Sequence, residues 1–219
     1  MVAQARLLLP VLYLLPMHEE ALRAVENTAT LLIELGHEVV ESSLQFDFDE
    51  FAQHLNSLWC AFAAEFIHEV SGQFGCSADN EHFEAVTLSC AEFGASMTAL
   101  DLIGALNYVN RISRETASEF QNFDLLVTST TCVPPPVHGT LNQNDPGLGA
   151  LEWTRQTFSY AGNTPLFNST GQPAVSLPLH WTVDGLPMGV QFVGQMGAEG
   201  MLLNLAAQLE EASTWRNKQ

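Results

Sequence analysis

The residues that could carry out chemistry in this chain are few and widely spaced. The only lysine is Lys218, next to the C-terminus, so no scheme that needs a buried catalytic lysine is expected. None of the cysteines lies in a C-x-x-C pair, which argues against a zinc ribbon or a thioredoxin-type site. We expect reduced thiols in a cytoplasmic protein, and disulfides stay an open alternative because the count is even. The cysteines are Cys60, Cys76, Cys90 and Cys132.

Three of the seven histidines recur every 14 residues, at His54, His68 and His82. On one continuous helix this spacing would align them on one face. Gly72 and Gly75 interrupt the predicted helix, and no carboxylate–histidine metal motif accompanies them. We therefore expect packing or surface histidines, no metal site and no cofactor. A cysteine hydrolase built on Cys90 is a further alternative, although no histidine is paired with it in the sequence.

Composition excludes several classes of partner. The chain has 219 residues, 47% of them hydrophobic, which is enough to bury a core. Its 25 acidic and 7 basic residues give a formal charge of -18, and the arginines are scattered. Phosphate contacts need clustered basic side chains, so we expect neither nucleic-acid binding nor docking on anionic membranes. Only 15% of residues are charged, so the protein either buries much of its chain or covers part of its surface with a partner.

Hydrophobic periodicity predicts a layered α/β fold with a mixed sheet flanked by helices. The apolar run from Leu7 to Leu15 predicts a buried first strand; a signal peptide is the alternative, but Pro10 interrupts the run and no cleavage site follows. A long segment from Ser129 to Leu148 has no clear periodicity. We predict helices over 19–35, 51–70, 81–93, 98–120, 151–158 and 199–211, and strands over Glu38–Ser42, Asp124–Thr128, Ala174–Leu179 and Met188–Val193.

Several ordered motifs carry a family resemblance. The quoted stretches are F-D-L-L-V-T-S-T from Phe123, P-P-P-V-H-G from Pro134, F-N-S-T-G-Q-P-A-V-S-L-P from Phe167 and D-G-L-P-M-G-V-Q-F-V-G from Asp184. Together with the phrase L-G-H-E-V from Leu35, they resemble the C-terminal region of the amidase signature family. Within the family, L-P-L-H-W from Leu177 is most similar to amidases known as 6-aminohexanoate cyclic-dimer hydrolases.

The resemblance implies a single incomplete domain over residues 1–219, the C-terminal half of an amidase-like domain. Enzymes of this family use two serines in a Gly-Ser-rich motif and a lysine, all of which precede the matched region. This sequence has no Gly-Gly pair and no internal lysine, so we assign it no catalytic residue. It departs from the family over Met1 to Met17, where Leu12 to Pro16 replace a polar loop, and at Ser129, where proline is common.

We predict a substrate-binding role for five residues: Trp153, Asn168, Thr170, Gly171 and Gln172. Trp153 follows the long aperiodic segment, where a pocket-lining side chain is expected. The other four are predicted to form a tight turn rather than a glycosylation sequon, with a special backbone angle at Gly171 before an extended entry to the next strand.

Two hypotheses of different classes follow. In the first, the chain is the substrate-pocket portion of a hydrolase of linear or cyclic carboxamides and is inactive alone. It binds a small amide substrate only when the missing N-terminal half is supplied. In the second, it is a non-catalytic interaction or scaffold protein with an amidase-like fold. Either way, strands too numerous for the helices to cover should leave an exposed apolar face for self-association or a partner.

Overall fold

A computed structural model describes residues 4–10, 16–42, 47–213 and 215. The chain divides into two compact units, and α4 and α5 each run from the second unit into the first. The single-domain assignment stays a prediction. The elements are β1 Arg6–Pro10, α1 Glu19–Glu34, β2 Glu38–Ser42, α2 Phe48–Phe74, α3 Ala85–Ser96, α4 Ala99–Glu119, β3 Leu125–Ser129, α5 Ala150–Ala161, α6 Pro165–Thr170, β4 Ala174–Trp181, β5 Pro187–Gly194 and α7 Glu199–Ala212.

The first unit comprises Met1–Phe46, Ile112–Pro136 and Ser159–Gln219 and contains a five-stranded sheet in the order β2-β1-β3-β5-β4. β1 is parallel to β2 and β3, whereas β5 is antiparallel to β3 and β4. The predicted mixed sheet with flanking helices is therefore confirmed. Of the predicted apolar run, β1 accounts for the part up to Pro10, and residues 11–15 lie outside the described ranges.

Helix α1 connects β1 to β2 and has both of its ends specified locally. His18 caps the first turn by accepting a hydrogen bond from the Glu20 amide. At the other end Gly36 has φ +89°, its amide bonds to Ile33 O, and the His37 amide bonds to Leu32 O. This pair of bonds is the Schellman motif, which needs a left-handed residue and so favours glycine. The helix predicted over 19–35 is therefore confirmed to within one residue.

The core of the first unit lies between the sheet and helices α1 and α7. β3 and β5 contribute alternate apolar side chains, and α7 contributes three leucines at helical spacing. The fully or nearly fully buried members include Leu125, Val127, Val190, Phe192, Leu202, Leu205 and Leu209. His37, from the phrase L-G-H-E-V, closes this core at one end because its Nδ1 accepts from the Ala5 amide and its Nε2 bonds to Gln208 Oε1 at 2.9 Å.

The second unit comprises Asp47–Arg111 and Val137–Phe158. α2 is longer than predicted: Asp47 caps its start, Gly72 is tolerated within it, and Gly75, with φ +64°, ends it. α3 packs against α2 so closely that a Cβ on Gly94 would lie 1.9 Å from the Cys60 carbonyl oxygen. Rings of α2 also surround Phe158, with Phe51 stacked on it at 5.8 Å.

In the part of the chain that the structure describes, no single helix has the length and apolar character to cross a membrane. The consecutive helices α3 and α4, bent by 106° at their junction, meet that criterion only when taken together.

One polar contact fastens α1 to β4. His180 Nε2 lies 2.8 Å from Glu20 Oε2, and the Glu20 side chain is only 7% exposed. The hydrogen bond with His180 is the largest cause that lowers the pKa of Glu20, and the guanidinium of Arg23 adds to it. Glu20 is therefore held ionised in the folded protein, where an unpaired carboxylate would be costly.

Replacing Glu20 with Gln is expected to flatten the acid side of the stability profile. Because the pKa of Glu20 is lower in the folded protein than its usual 4.5, the unfolded chain takes up the proton first. The stabilisation is full above the unfolded pKa and is lost as the pH falls through the folded one. Urea unfolding followed by circular dichroism, from neutral pH to about pH 3, measures this difference.

Glu26→Gln is the matched control, since Glu26 is exposed on the same helix. It should retain the wild-type acid profile. A Glu20→Gln curve that ran parallel to the wild-type curve would show that the Glu20–His180 pair plays no part in acid unfolding.

Candidate functional site

Three of the quoted sequence motifs meet at one end of the sheet in the first unit. Thr130 follows β3, Ser176 lies on β4, and Gly189 lies between them on β5. Thr130 Oγ1 and Ser176 Oγ are 2.6 Å apart, so they bond across the intervening strand. A Cβ on Gly189 would lie 2.6 Å from each of these oxygens, which only the absence of a side chain permits. We call Thr130, Ser176 and Gly189 the hydroxyl bridge.

Beside the hydroxyl bridge lies a buried network of amides and hydroxyls. Gln191 Nε2 donates to Thr128 Oγ1 and to Asn163 O, both at 3.2 Å. Asn163 Nδ2 donates to the carbonyl and to the hydroxyl oxygen of Ser129, both at 3.0 Å. All four side chains are at most 5% exposed. Ser129 is thus used as a hydrogen-bond acceptor by both its carbonyl and its hydroxyl oxygen.

The segment predicted as a turn is mostly helical, and that prediction is corrected. Asn168 and Thr170 belong to the last turn of α6, which begins at Pro165. Proline at the first helical position and glycine just past the last one are the usual start and stop signals, and the turn-like composition of N-S-T-G concealed them. The predicted special angle at Gly171 is confirmed, with φ +84° and its amide bonded to Phe167 O.

The side chains near the end of α6 divide into buried and exposed positions. Thr170 and Gln172 are buried and hydrogen-bonded to each other, and Thr170 Oγ1 also reaches Leu166 O at 3.0 Å. Asn168 and Gly171 are exposed. Four of the five predicted site residues therefore cluster in the first unit. Trp153, the fifth, is half-buried on α5 in the second unit. Their binding role stays a prediction.

The residues of the hydroxyl bridge were not among the predicted site residues, although each lies within or beside a quoted motif. Gly189 and the neighbouring network residue Gln191 belong to the G-V-Q triplet, and Ser176 belongs to P-A-V-S. The motifs that mark these positions were therefore present in the sequence. Asn163 had no such signal, because it precedes α6 in a segment that matched no motif. Only the strand register brings these positions together.

The hydroxyl bridge is suited to binding rather than to nucleophilic attack. A serine or threonine nucleophile needs an adjacent base to accept its proton. Among the described residues, neither Thr130 nor Ser176 hydrogen-bonds to a histidine, a lysine or a carboxylate. The two hydroxyls can donate to and accept from a polar ligand, and they carry no charge.

The other candidate residues have partners of their own. His54 stacks on Tyr108 at 4.3 Å, and His82 Nδ1 lies 2.8 Å from Asp79 Oδ1. Within the described residues, no three histidine, cysteine or acidic side chains are grouped so that they could hold a metal. All four cysteines are free thiols, and burial raises the pKa of Cys132 to about 11.

A mixed five-stranded sheet with helices packed on it defines the class of this unit as an α/β fold. The comparisons identify it further. The family model for amidases matches residues 11–203, and the chain belongs to the amidase family. Over 189 residues it is 33% identical to a protein of Mycobacterium leprae named as the amidase AmiC, covering 86% of this chain and 39% of that one.

Other relatives agree. A protein of Mycobacterium bovis named as the amidase AmiA2 is 30% identical over 207 residues, which cover 93% of this chain and 40% of that one. The chain therefore spans about two fifths of the length of these curated relatives.

The solved 6-aminohexanoate cyclic dimer hydrolase superposes with a TM-score of 0.81 at 23% identity, over 97% of this chain and 46% of that one. A bacterial aryl acylamidase of the amidase signature family superposes with a TM-score of 0.78 at 21% identity, over 99% of this chain and 45% of that one. These two likenesses establish the amidase signature fold.

Gly189→Ala is expected to break the hydroxyl bridge and to lower the free energy of unfolding by roughly 1–3 kcal/mol, since the new methyl group would overlap the two hydroxyl oxygens. Urea unfolding measures the loss. Adding Ser176→Ala to Gly189→Ala removes one of the two oxygens that the methyl group meets, so the double variant should recover part of the stability.

Gly200→Ala in α7 is the matched control, because a Cβ there meets nothing within 4 Å. It should change the stability by no more than about 1 kcal/mol. If Gly189→Ala were as stable as Gly200→Ala, the close approach across β5 would not constrain the fold.

Proposed function

We propose that this chain forms the substrate-pocket portion of an amidase-family hydrolase that acts on linear or cyclic carboxamide bonds, and that it is inactive alone. The observation that carries the proposal is the hydroxyl bridge, an uncharged polar wall built from the motifs that mark the family. The family match and the coverage of about two fifths of the relatives support it. We further propose a reducing, cytoplasmic setting, which suits its four free thiols.

The hydrogen-bonding capacity of the wall fits a neutral amide. Each hydroxyl has one donor and two acceptor positions, and the bond between Thr130 and Ser176 uses one donor and one acceptor. One donor and three acceptor positions are left over. An amide presents one carbonyl to a donor and its N–H to an acceptor, so a single carboxamide could satisfy both partners. Thr130 and Ser176 carry no charge, so the hydroxyl bridge gives no electrostatic preference for an ionic substrate.

Substrate selection would fall to the side chains around this wall. Asn168 and the backbone at Gly171 are exposed beside β4 and could add polar contacts. The names of two structural neighbours, a hydrolase of the 6-aminohexanoate cyclic dimer and an aryl acylamidase, are consistent with substrates that join an amide to an apolar chain or ring.

Amide hydrolysis by a family enzyme requires a Gly-Ser-rich motif with two serines and an internal lysine, which this sequence does not contain. Amide hydrolysis by a serine needs a base for its proton and backbone donors for the oxyanion. The one lysine, Lys218, is the second-last residue, and the sequence has no Gly-Ser-rich stretch with a Gly-Gly pair. Another stretch of polypeptide would have to supply the nucleophile and its base.

The isolated chain is expected to show no turnover of simple aryl amides such as an anilide. Loss of the catalytic groups of a serine hydrolase costs on the order of 10⁴-fold or more. Release of the aromatic amine, followed by absorbance across the fractions of a sizing column, is the measurement. A complete amidase-signature enzyme run in parallel verifies the assay. Turnover that tracked the protein peak would overturn the assignment of an inactive portion.

A specific surface favours the alternative, a non-catalytic interaction or scaffold protein. Trp59, Phe62 and Phe66 on α2 are 41%, 70% and 52% exposed. At i, i+3 and i+7 they lie on one helix face, so they form a contiguous apolar stripe rather than scattered exposed residues. We propose that this stripe mediates self-association or the binding of a partner.

The double substitution Phe62→Ser and Phe66→Ser is expected to shift the chain towards monomer in sedimentation velocity. The reason is that the apolar contact area of two large side chains is lost. Glu65→Ser combined with Glu69→Ser, which changes exposed polar positions on the same helix, should leave association unchanged or stronger. A wild-type chain that sedimented as a monodisperse monomer would contradict the proposed use of the stripe.

A further inference from the structure

Two thiols of the second unit lie on helices that pack closely together and have no role in the proposed function. Cys60 lies on α2 and is 1% exposed, whereas Cys90 lies on α3 and is half-buried. The two thiols are near enough for each to shift the pKa of the other. Both are free thiols in this structure.

The backbones of the two helices also meet at this point. A disulfide needs Cα atoms within about 6.8 Å, so the two helices must approach each other closely. Gly94 permits a close approach here, since a Cβ at this position would overlap the Cys60 carbonyl group. Cys90 is four residues before Gly94, so it lies on the same face of α3, directed at α2.

We propose that Cys60 and Cys90 are a site of reversible modification, forming an intrachain disulfide that joins α2 to α3 by exchange with a small-molecule disulfide of the glutathione class. This site is independent of the proposed amidase function, and it is compatible with a reducing compartment in which the bond forms only when the thiol pool is oxidised.

The two thiols have different roles in the exchange. The hydrogen bond from Cys60 lowers the pKa of Cys90 in spite of its burial, and the same bond, followed by burial, raises the pKa of Cys60. Cys90, the more accessible thiol, is therefore the attacking thiolate. Cys60 keeps its proton, and its sulfur lies 3.6 Å from Asn56 Oδ1, an oxygen that accepts a hydrogen bond from Thr154 Oγ1 at 2.9 Å.

The step balances as two consecutive exchanges. The Cys90 thiolate attacks one sulfur of the small disulfide, forms a mixed disulfide and releases one small thiolate. Cys60 then loses its proton and attacks the Cys90 sulfur, which releases the second small thiolate. Two protein thiols and one small disulfide thus become one protein disulfide and two small thiols. The protein is oxidised by two electrons, and the small disulfide is reduced by two.

The bond would fix the walls of a groove. A cavity of about 590 Å³ in the second unit is bordered by α2 and α3. Its lining includes Ala64, Ile67 and His68 of α2 and Leu88 and Ala91 of α3. Ala64 is one turn beyond Cys60, and Ala91 is next to Cys90. Oxidation would therefore hold the two walls at one separation, whereas the reduced pair leaves α3 free to shift against α2.

The test is incubation of the native chain in glutathione buffers of increasing disulfide fraction, followed by acid quenching. Thiols are then counted in denaturant, and cysteine-containing peptides are mapped by mass spectrometry. The reduced protein has four thiols. We expect the count to fall by two, the mass to fall by about 2 Da, and one peptide pair to join Cys60 to Cys90.

Variants separate the two steps. Cys60→Ala removes the second thiol, so Cys90 should accumulate a stable glutathione adduct. Cys90→Ser removes the attacking thiol, so no intrachain bond should form. Cys76→Ser is the matched control at another half-buried cysteine and should lose two thiols as the wild type does. Circular dichroism of each variant establishes that it is folded before oxidation.

Three results would overturn the proposal. The first is a wild-type chain that keeps all its thiols in glutathione disulfide alone. The second is a wild-type chain that stops at a stable adduct on Cys90. The third is a peptide map that joins any pair other than Cys60 and Cys90. Each of these can be scored on the wild type, so the outcome does not depend on how well the variants fold.

Discussion

The antiparallel strand β5 determines both the core of the first unit and the position of the hydroxyl bridge. Met188, Val190 and Phe192 are at most 1% exposed and pack beneath α1 and α7. The alternate residues Gly189 and Gln191 point to the opposite face and carry the hydroxyl bridge and the amide network. Side chains alternate along a strand, so a shift of the β5 pairing register by one residue would exchange the two faces. The hydroxyl bridge would move to the core side, and the apolar side chains would leave it. The hydrophobic pattern of one strand therefore fixes the position of the polar site.

The region beside the hydroxyl bridge gains rigidity because the side-chain N–H groups of Gln191 and Asn163 all have acceptors. An unsatisfied buried amide costs about 1–3 kcal/mol, so the donors of Gln191 and Asn163 keep the ends of β3, β5 and the segment before α6 in one arrangement. The hydroxyls of Thr130 and Ser176 lie at the less buried side of this network. A fixed, partly unsatisfied pair of hydroxyls next to a fixed amide network is preorganised, so little ordering is needed when a ligand binds.

Local patterns in the sequence predicted most of the elements, and nonlocal contacts explain what they did not predict. β2 was predicted with its observed ends. The ends of α1 were predicted nearly as well, because this helix stops at one glycine and its buried face follows from helical spacing. α6 was missed because six residues are too few for periodicity to show. The hydroxyl bridge joins residues 46 positions apart in the sequence. Such a contact depends on strand register, which no local pattern specifies.

The edge strand β4 shows where this sheet is open to further pairing. In the described part of the chain it pairs only with β5. Its second half is poorly suited to another partner, because Pro178 has no amide hydrogen and the register shifts between Leu177 and His180. Its first half carries no charge, no proline and no bulge, the devices that usually protect an edge. Ser176 lies in that first half. A strand that extended the sheet there would bring its own side chains alongside the hydroxyl bridge.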